Sequence, residues 1–441
     1  MNAGFMNLFR IEEIRKKIVI TLSLLFVYRI GYHIPLPGVN YDNLQAWGEK
    51  LAGTGVSSII GLMSTLSGGN LNAPALFSLG ILPYITASII MSLLVKTIPS
   101  LEALQKEGAS GQKKINQYGR LLTVPLCLFQ GFAITMTIFK GMAQEGAVIP
   151  DYGFRFVISA ILAMTAGTVF LMWLGEQITE HGIGNGASLL ITAGIIADIP
   201  QAFMNILERA IEDRGYILTV AVLAVIYIAV VVGVVYMTKA QRRIPMQQAK
   251  QMRGRRMVGG QRHYLPIKLN MANVMPVIFA SSLLVLPSTV IGWVSGSPGQ
   301  GGFLSYGGWW WITLESVLIF FFSFFWTSMM FQPTEMANNL KEYGSFIPGI
   351  RPGRKTAEFL EKVMVRITVV GAAFLVVIAV LPTLVSSAMN VEFLVARFLG
   401  GTGILIVVGV SLDMVDKLNS FLLMRNYEGF MSAAAARKAR R

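Results

Sequence analysis

Ten apolar blocks govern what this chain can fold into. They lie at 18–34, 74–95, 121–139, 155–174, 187–200, 216–237, 271–292, 309–331, 364–385 and 401–424, with compact polar segments between them. A helix needs ~20 apolar residues to cross the hydrocarbon core of a bilayer. Helices and closed barrels are the only structures that satisfy every backbone polar group there. The fifth block, "ASLLITAGIIADIP", is the short one. Charged residues make up 14% of the 441 residues, against roughly a quarter in soluble domains. The pattern predicts an all-α polytopic membrane protein with ten transmembrane helices and excludes a soluble class. The first block follows "RIEEIRKK" without a small-residue cleavage site and is expected to remain as a span. A lone cysteine, Cys127, rules out an intrachain disulfide. With it, neither a metal site nor a cofactor is expected.

Charge tests the count independently. With ten spans, alternate loops share a side. Thirty of the 37 lysines and arginines then fall on the side of both termini and of loops 96–120, 239–268 and 332–366. Six fall opposite, and Arg29 lies within the first block. By the positive-inside rule the basic side, with both termini, is cytoplasmic. Omitting the fifth span would scatter the later basic loops onto the wrong face.

The second block contains "LPYITASIIMSLL" (82–94) and the seventh "MPVIFASSLLVLP" (275–287). Aligned on Pro83 and Pro276, they pair Ile85 with Ile278, Ala87 with Ala280, Ser88 with Ser281 and Leu93 with Leu286. These are the second spans of two sets of five, and five is odd, so the sets run in opposite orientations. The expected organisation is an inverted-topology repeat of residues 1–215 and 216–441 around a central pathway.

Such a repeat fits a coupled carrier for a small solute or a conduit for something larger. Carriers place ionisable groups at mid-depth. Here the blocks hold Arg29, Asp198, Glu315, Asp413 and Asp416, none with an evident partner at the midplane. The repeat helix offers Ile81 and Ile85, one turn apart on one face. This chemistry favours a passive conduit. The stretch "SSIIGLMSTLSGGN" (57–70) is too apolar for a solvated loop and too short to span. It is read either as a re-entrant half-helix shielded by protein or as an amphipathic helix on the outer surface. On α-helical block six, Leu223 is expected to face lipid.

Two cytoplasmic loops exceed what topology requires. "KAQRRIPMQQAKQMRGRRMVGGQRHYLPIK" (239–268) has the alternation of a projecting hairpin, and 332–366 carries Pro348–Gly349 and Pro352–Gly353 turns around Arg351. Such projections suit an acidic protein surface, RNA phosphates or anionic lipid.

The stretches "EGASGQKKINQYGR" (107–120), "GEQITEHGIGNGASLLI" (175–191), "QRRIPMQQAK" (241–250), "LPIKLNMANVMPVIFASS" (265–282) and "FIPGIRPGRKT" (346–356) closely resemble the bacterial SecY family, in order along nearly the whole chain. The resemblance implies a channel subunit that passes unfolded secretory polypeptides across the bacterial cytoplasmic membrane and releases transmembrane segments sideways into lipid. It implies a pore ring at Ile81, Ile85, Ile191, Ile278 and, in "GGTGILIVV", Ile406. It implies a plug made of Ser57, Ser58, Ile59, Ile60, Gly61, Leu62, Met63, Ser64, Thr65, Leu66, Ser67, Gly68, Gly69 and Asn70. A lateral gate between the second, third, seventh and eighth helices is implied near Thr86, Gln130, Ser281 and Ser282. Docking of the SecA motor ATPase and the ribosome with its nascent chain is implied at Arg242, Arg243, Lys250, Arg255, Arg256, Arg351 and Arg354. The further partners implied are the SecE and SecG membrane subunits, signal peptides and unfolded preproteins. No catalytic residues are implied, and the driving energy is external. The chain departs from the family pattern at Ser92, where glutamine is common, and at His181 and Gln112, where basic residues are common.

Overall fold

The computed structural model describes residues 11–40, 74–146, 149–212, 216–248, 251–253, 256–258, 262–294, 307–389 and 401–439. The expected plug, 57–70, lies outside them, as do Lys250 and Arg255. The helices are α1 (Glu12–Tyr32), α2 (Leu82–Thr97), α3 (Pro99–Lys106), α4 (Ala109–Ile134), α5 (Lys140–Gly146), α6 (Phe154–His181), α7 (Gly186–Glu212) and α8 (Tyr216–Lys239), followed by α9 (Met275–Val294), α10 (Trp309–Met330), α11 (Pro333–Glu342), α12 (Arg354–Met389) and α13 (Thr402–Ala439). Each of the ten apolar blocks overlaps a helix. Among the described residues four stretches are long and apolar enough to cross a membrane: Phe154–His181, Tyr216–Lys239, Trp309–Glu342 and Arg354–Ser386. The α2–α3 pair makes a fifth when its two arms count as one span, and Gly186–Pro200 and Met275–Leu284 are shorter apolar helices.

The described chain forms two compact units. One gathers positions within 1–205, 288–302 and 406–441, the other positions within 206–287 and 303–405. In the first unit, α2 turns by 98° into α3. Ile98 stands before Pro99, which excludes it from the helical region, and it is extended at φ −102°, ψ 113°. A π turn, Thr135–Phe139, interrupts the run from α4 to α5. Such a turn displaces backbone carbonyls from the helical ladder. The Tyr152 hydroxyl donates to the Thr135 carbonyl at 2.8 Å, and burial holds this phenol above the usual tyrosine range. Around the turn Leu36, Ile134, Phe139, Met142, Phe156 and Met164 form a core.

The second block differs from expectation at its start. Residues 74–81 are turns rather than helix, because Pro74, Gly80 (φ 56°) and Pro83 oppose a continuous helical ladder. Their backbone groups are nevertheless met: Leu36 N donates to Pro74 O at 3.0 Å and Leu76 N to Ile34 O at 2.9 Å. The Ser78 hydroxyl oxygen accepts from Ala75 N at 2.8 Å. Irregular backbone of this kind survives at membrane depth only when enclosed by protein, and Ala75, Phe77, Ser78 and Leu79 are buried.

In the second unit, the most apolar stretch of α8 has a mean hydropathy of 3.0 and is only 17% buried. Ile217, Leu218, Val225 and Ile228 are exposed, as a lipid face requires. Leu223 is a correction: it is 1% exposed and packs with Val385, Leu381 and Ile226. The projection between α8 and α9 is the expected hairpin. Strand β1 (Gln241–Gln248) pairs antiparallel with β4 (Arg262–Lys268), from Gln241↔Lys268 to Gln247↔Arg262. Short β2 (Gln251–Arg253) and β3 (Arg256–Val258) pair with each other beyond it. Strand β5 (Ser345–Phe346) adds to the other edge of β1, giving the order β4-β1-β5.

Candidate functional site

The five candidate ring isoleucines are all buried, from 1% exposed at Ile81 to 9% at Ile85. Four belong to the first unit. The 74–81 segment delivers Ile81 to the N-cap of α2, and Ile85 N donates to its carbonyl at 3.1 Å, so the two side chains share a face one turn apart. Ile191 sits on α7, whose start is built by the glycine-rich motif. Asn185 caps the helix, its Oδ1 accepting from Ser188 N at 3.2 Å. Gly186 N donates to the Thr179 hydroxyl at 2.8 Å. A Cβ on Gly186 would collide with the Gly175 backbone, so α6 and α7 meet here at glycine-only distance. Ile81 Cδ1 and Leu190 Cδ1 stand 3.6 and 3.5 Å from where a Cβ on Gly175 would lie, which brings the head of α2 to this corner. Thr21 of α1 accepts from Ile183 N at 3.1 Å and pins the same loop. Ile406 is buried in the first turns of α13. Ile278 belongs to the second unit, on α9, beside Phe279, whose ring meets Phe322 and Trp326 edge-on.

The candidate gate residues divide. The Thr86 hydroxyl donates to Leu82 O of its own helix at 3.0 Å. Gln130 is buried on α4, and its Oε1 has no partner among the described residues, nor does the Ser282 hydroxyl. Ser281 is fully buried, with Val277 O and Glu315 Oε1 each 2.9 Å from its hydroxyl oxygen. The indole N–H of Trp311 donates to Glu315 Oε2 at 3.2 Å. Glu315 of α10 therefore has partners that the sequence alone did not reveal, one of them a candidate gate serine. The only signal for it was a carboxylate in an apolar block, which demands polar company.

The two basic loops form one module. Ile244 and Ile267 of the hairpin, Phe331, Ile347, and Leu360, Val363, Met364 and Ile367 of α12 share a core. Arg242, Arg243, Arg351 and Arg354 are exposed on it. Arg256 lies in β3. Ile350 N donates to Ile347 O at 3.1 Å across Pro348–Gly349, with Gly349 at φ 83°, the type II pattern of proline followed by positive-φ glycine. Gly353 is again left-handed at φ 96°, and the Thr356 hydroxyl donates to Arg351 O at 3.0 Å. The backbone is thus fixed on both sides of Arg351, whose guanidinium forms no ion pair among the described residues. Arg354 differs, its Nε lying 3.3 Å from Glu358. Among the described residues no cluster of three or more metal-ligating side chains occurs.

Comparison with known proteins agrees with this architecture. The SecY family model matches residues 75–415. The protein translocase subunit SecY of Streptomyces galbus is 44% identical over 98% of this chain and 100% of its own length. That of Escherichia coli K12 is 40% identical over 96% and 95%. Among solved structures, a protein-conducting channel superposes with a TM-score of 0.63 at 20% identity, covering 92% of each chain. Sec61 from the canine ribosome–channel complex gives 0.58 at 19%, again over 92% of each. With a family model matching most of its length and end-to-end relatives at 40–44% identity, this chain belongs to the SecY family.

Proposed function

We propose that this chain is the pore-forming subunit of a protein-conducting channel, which passes unfolded secretory polypeptides across the bacterial cytoplasmic membrane and releases apolar segments sideways into lipid. The observation that carries this is its end-to-end identity with proteins named translocase subunits. The buried isoleucines support a ring at Ile81, Ile85, Ile191, Ile278 and Ile406. Stiff β-branched side chains at a constriction exclude water and ions yet hold no fixed chemistry that would trap a passing chain. In this reading ten spans in two inverted halves, 1–215 and 216–441, surround the pore. Residues 57–70 are the plug, and Thr86, Gln130, Ser281 and Ser282 line the lateral gate. Both termini are cytoplasmic.

The shared core of the two basic loops supports a docking face for the SecA motor and the ribosome with its nascent chain. SecE and SecG complete the assembly, with signal peptides and unfolded preproteins as substrates and anionic lipid around it. The subunit carries no catalysis of its own, so the driving energy is supplied by its partners. The carrier reading finds no support in the relatives from Streptomyces galbus and Escherichia coli, which are named as translocase subunits. Deletion of 57–70 in the reconstituted complex tests the proposal. A channel gains ion conductance when its plug is removed, and an unchanged conductance would mark a scaffold without a pore.

A further inference from the structure

The segment 74–81, which delivers Ile81 to the head of α2, is built of turns, so the contacts that place it come from its neighbours. Residues 74–76 lie against 34–36, just past α1, with Pro35 and Ala75 forming an antiparallel bridge. Beyond the bridge Ser78 N donates to Ala75 O at 3.1 Å and Gly80 N to Phe77 O at 2.9 Å, closing two successive turns. With those turns closed, the position of Ile81 follows from where Phe77 sits.

Phe77 is 2% exposed and fills notches on two helices. A Cβ on Gly31 of α1 would collide with Cε2 and Cζ at the far edge of its ring. A Cβ on Gly167 of α6 would collide with the Leu76 carbonyl oxygen and stand 3.1 Å from Phe77 Cδ1. The ring is also held by stacking. It lies nearly parallel to Tyr28 of α1, with centroids 6.4 Å apart and planes at 4°, and to Phe170 of α6, at 6.0 Å and 14°. Aromatic pairs at such separations attract beyond what burial alone supplies. Helix α6 meets Ile81 as well: Ile81 Cδ1 lies 3.6 Å from the position of a Cβ on Gly175. From Gly167 to Gly175 the helix rises about 12 Å, so α6 is a rigid ruler between the seat of Phe77 and the ring isoleucine.

We propose that Phe77 is a positioning residue of the isoleucine ring: seated between Gly31 and Gly167, it fixes the backbone that presents Ile81 and Ile85 to the pore. The inference rests on the channel reading and adds to it a residue outside the ring on which the seal depends. The test uses the full chain in its assembled complex, reconstituted in planar bilayers with a secretory precursor arrested in transit. In the channel reading the plug is then displaced, so ion conductance around the precursor reads the ring alone. Phe77→Ala is expected to raise that conductance severalfold, as Ile81 loses its register against α6. Gly31→Ala, which presses on the ring edge, is expected to raise it too. Leucine has no atoms at the Cε2 and Cζ positions, so combining Gly31→Ala with Phe77→Leu is expected to bring the conductance back toward that of the unsubstituted complex. This pair decides the matter if Phe77→Ala does not assemble. Leu223→Ala, at a site 1% exposed on α8, is expected to lower thermal stability and leave the conductance unchanged. Unchanged conductance in Phe77→Ala overturns the proposal. So does a Gly31→Ala leak that Phe77→Leu does not relieve, or an equal leak from Leu223→Ala, which would mark general destabilisation. Deletion of 57–70 in resting complexes separates the two readings. If the deleted complex conducts while the Phe77 variants stay tight, the positioning role falls and the channel stands; if it stays silent, the channel itself falls.

Discussion

Ser281→Ala removes the hydroxyl that lies 2.9 Å from Glu315 Oε1 and leaves Trp311 as the remaining donor to that carboxyl. Hydrogen bonds between membrane helices contribute on average about 0.6 kcal/mol and at most about 1.7. The substitution should therefore destabilise the complex by about 0.5–1.5 kcal/mol. Glu315→Ala does more. It removes the carboxylate that accepts from the indole N–H of Trp311, a residue 1% exposed, and opens a void between α9 and α10. Loss of a hydrogen bond to a charged group costs about 1.5–3 kcal/mol, and incomplete filling of the void adds to it, for an expected loss of about 2–4 kcal/mol. If the two residues act as one tie, Ser281→Ala costs little once Glu315 is gone. The double-mutant cycle, read from SDS-driven unfolding of the complex in mixed micelles, should then show a coupling of about 0.6–1.7 kcal/mol. Effects that add to within about 0.3 kcal/mol would refute the tie between the two helices.

Gly186→Ala drives a Cβ into the Gly175 backbone, which no rotamer change relieves; a loss above ~3 kcal/mol is expected, seen as a collapse in folded yield. Gly141→Ala, whose Cβ meets nothing within 4 Å, should leave yield and thermal unfolding intact. Ile347→Asp places an unpaired charge in the core that joins the two basic loops, where Ile347 is 4% exposed. Brief trypsin treatment should then cut faster near Arg243 and near Arg351 together, whereas acceleration at one site alone would show that the loops fold independently.

The helices were legible in the sequence because a bilayer forces every apolar block of sufficient length to satisfy its own backbone. The hairpin and the Pro–Gly turns were legible because their geometry depends on local residues such as Ile244, Leu265 and Gly349. Other features depended on contacts that no local pattern encodes. Strand β5 is two residues long, too short to announce itself, yet it joins loops roughly a hundred residues apart. Glu315 and Ser281 meet through the rotation of two helices about their axes, which composition does not fix. Leu223 misled because α8 is apolar on all sides, leaving no periodicity to separate the protein face from the lipid face. Residues 74–81 read as the start of a span because they are apolar, although Pro74, Gly80 and Pro83 carry the signal against a helix there.

The central claim is that polypeptide passes the isoleucine ring. A photoreactive residue at Ile278, with a control at Val225, 67% exposed on α8, can be tested against a secretory precursor arrested in transit. The account predicts crosslinks from position 278 to the precursor and none from position 225. Transport that proceeds while the precursor never reaches position 278 would contradict it.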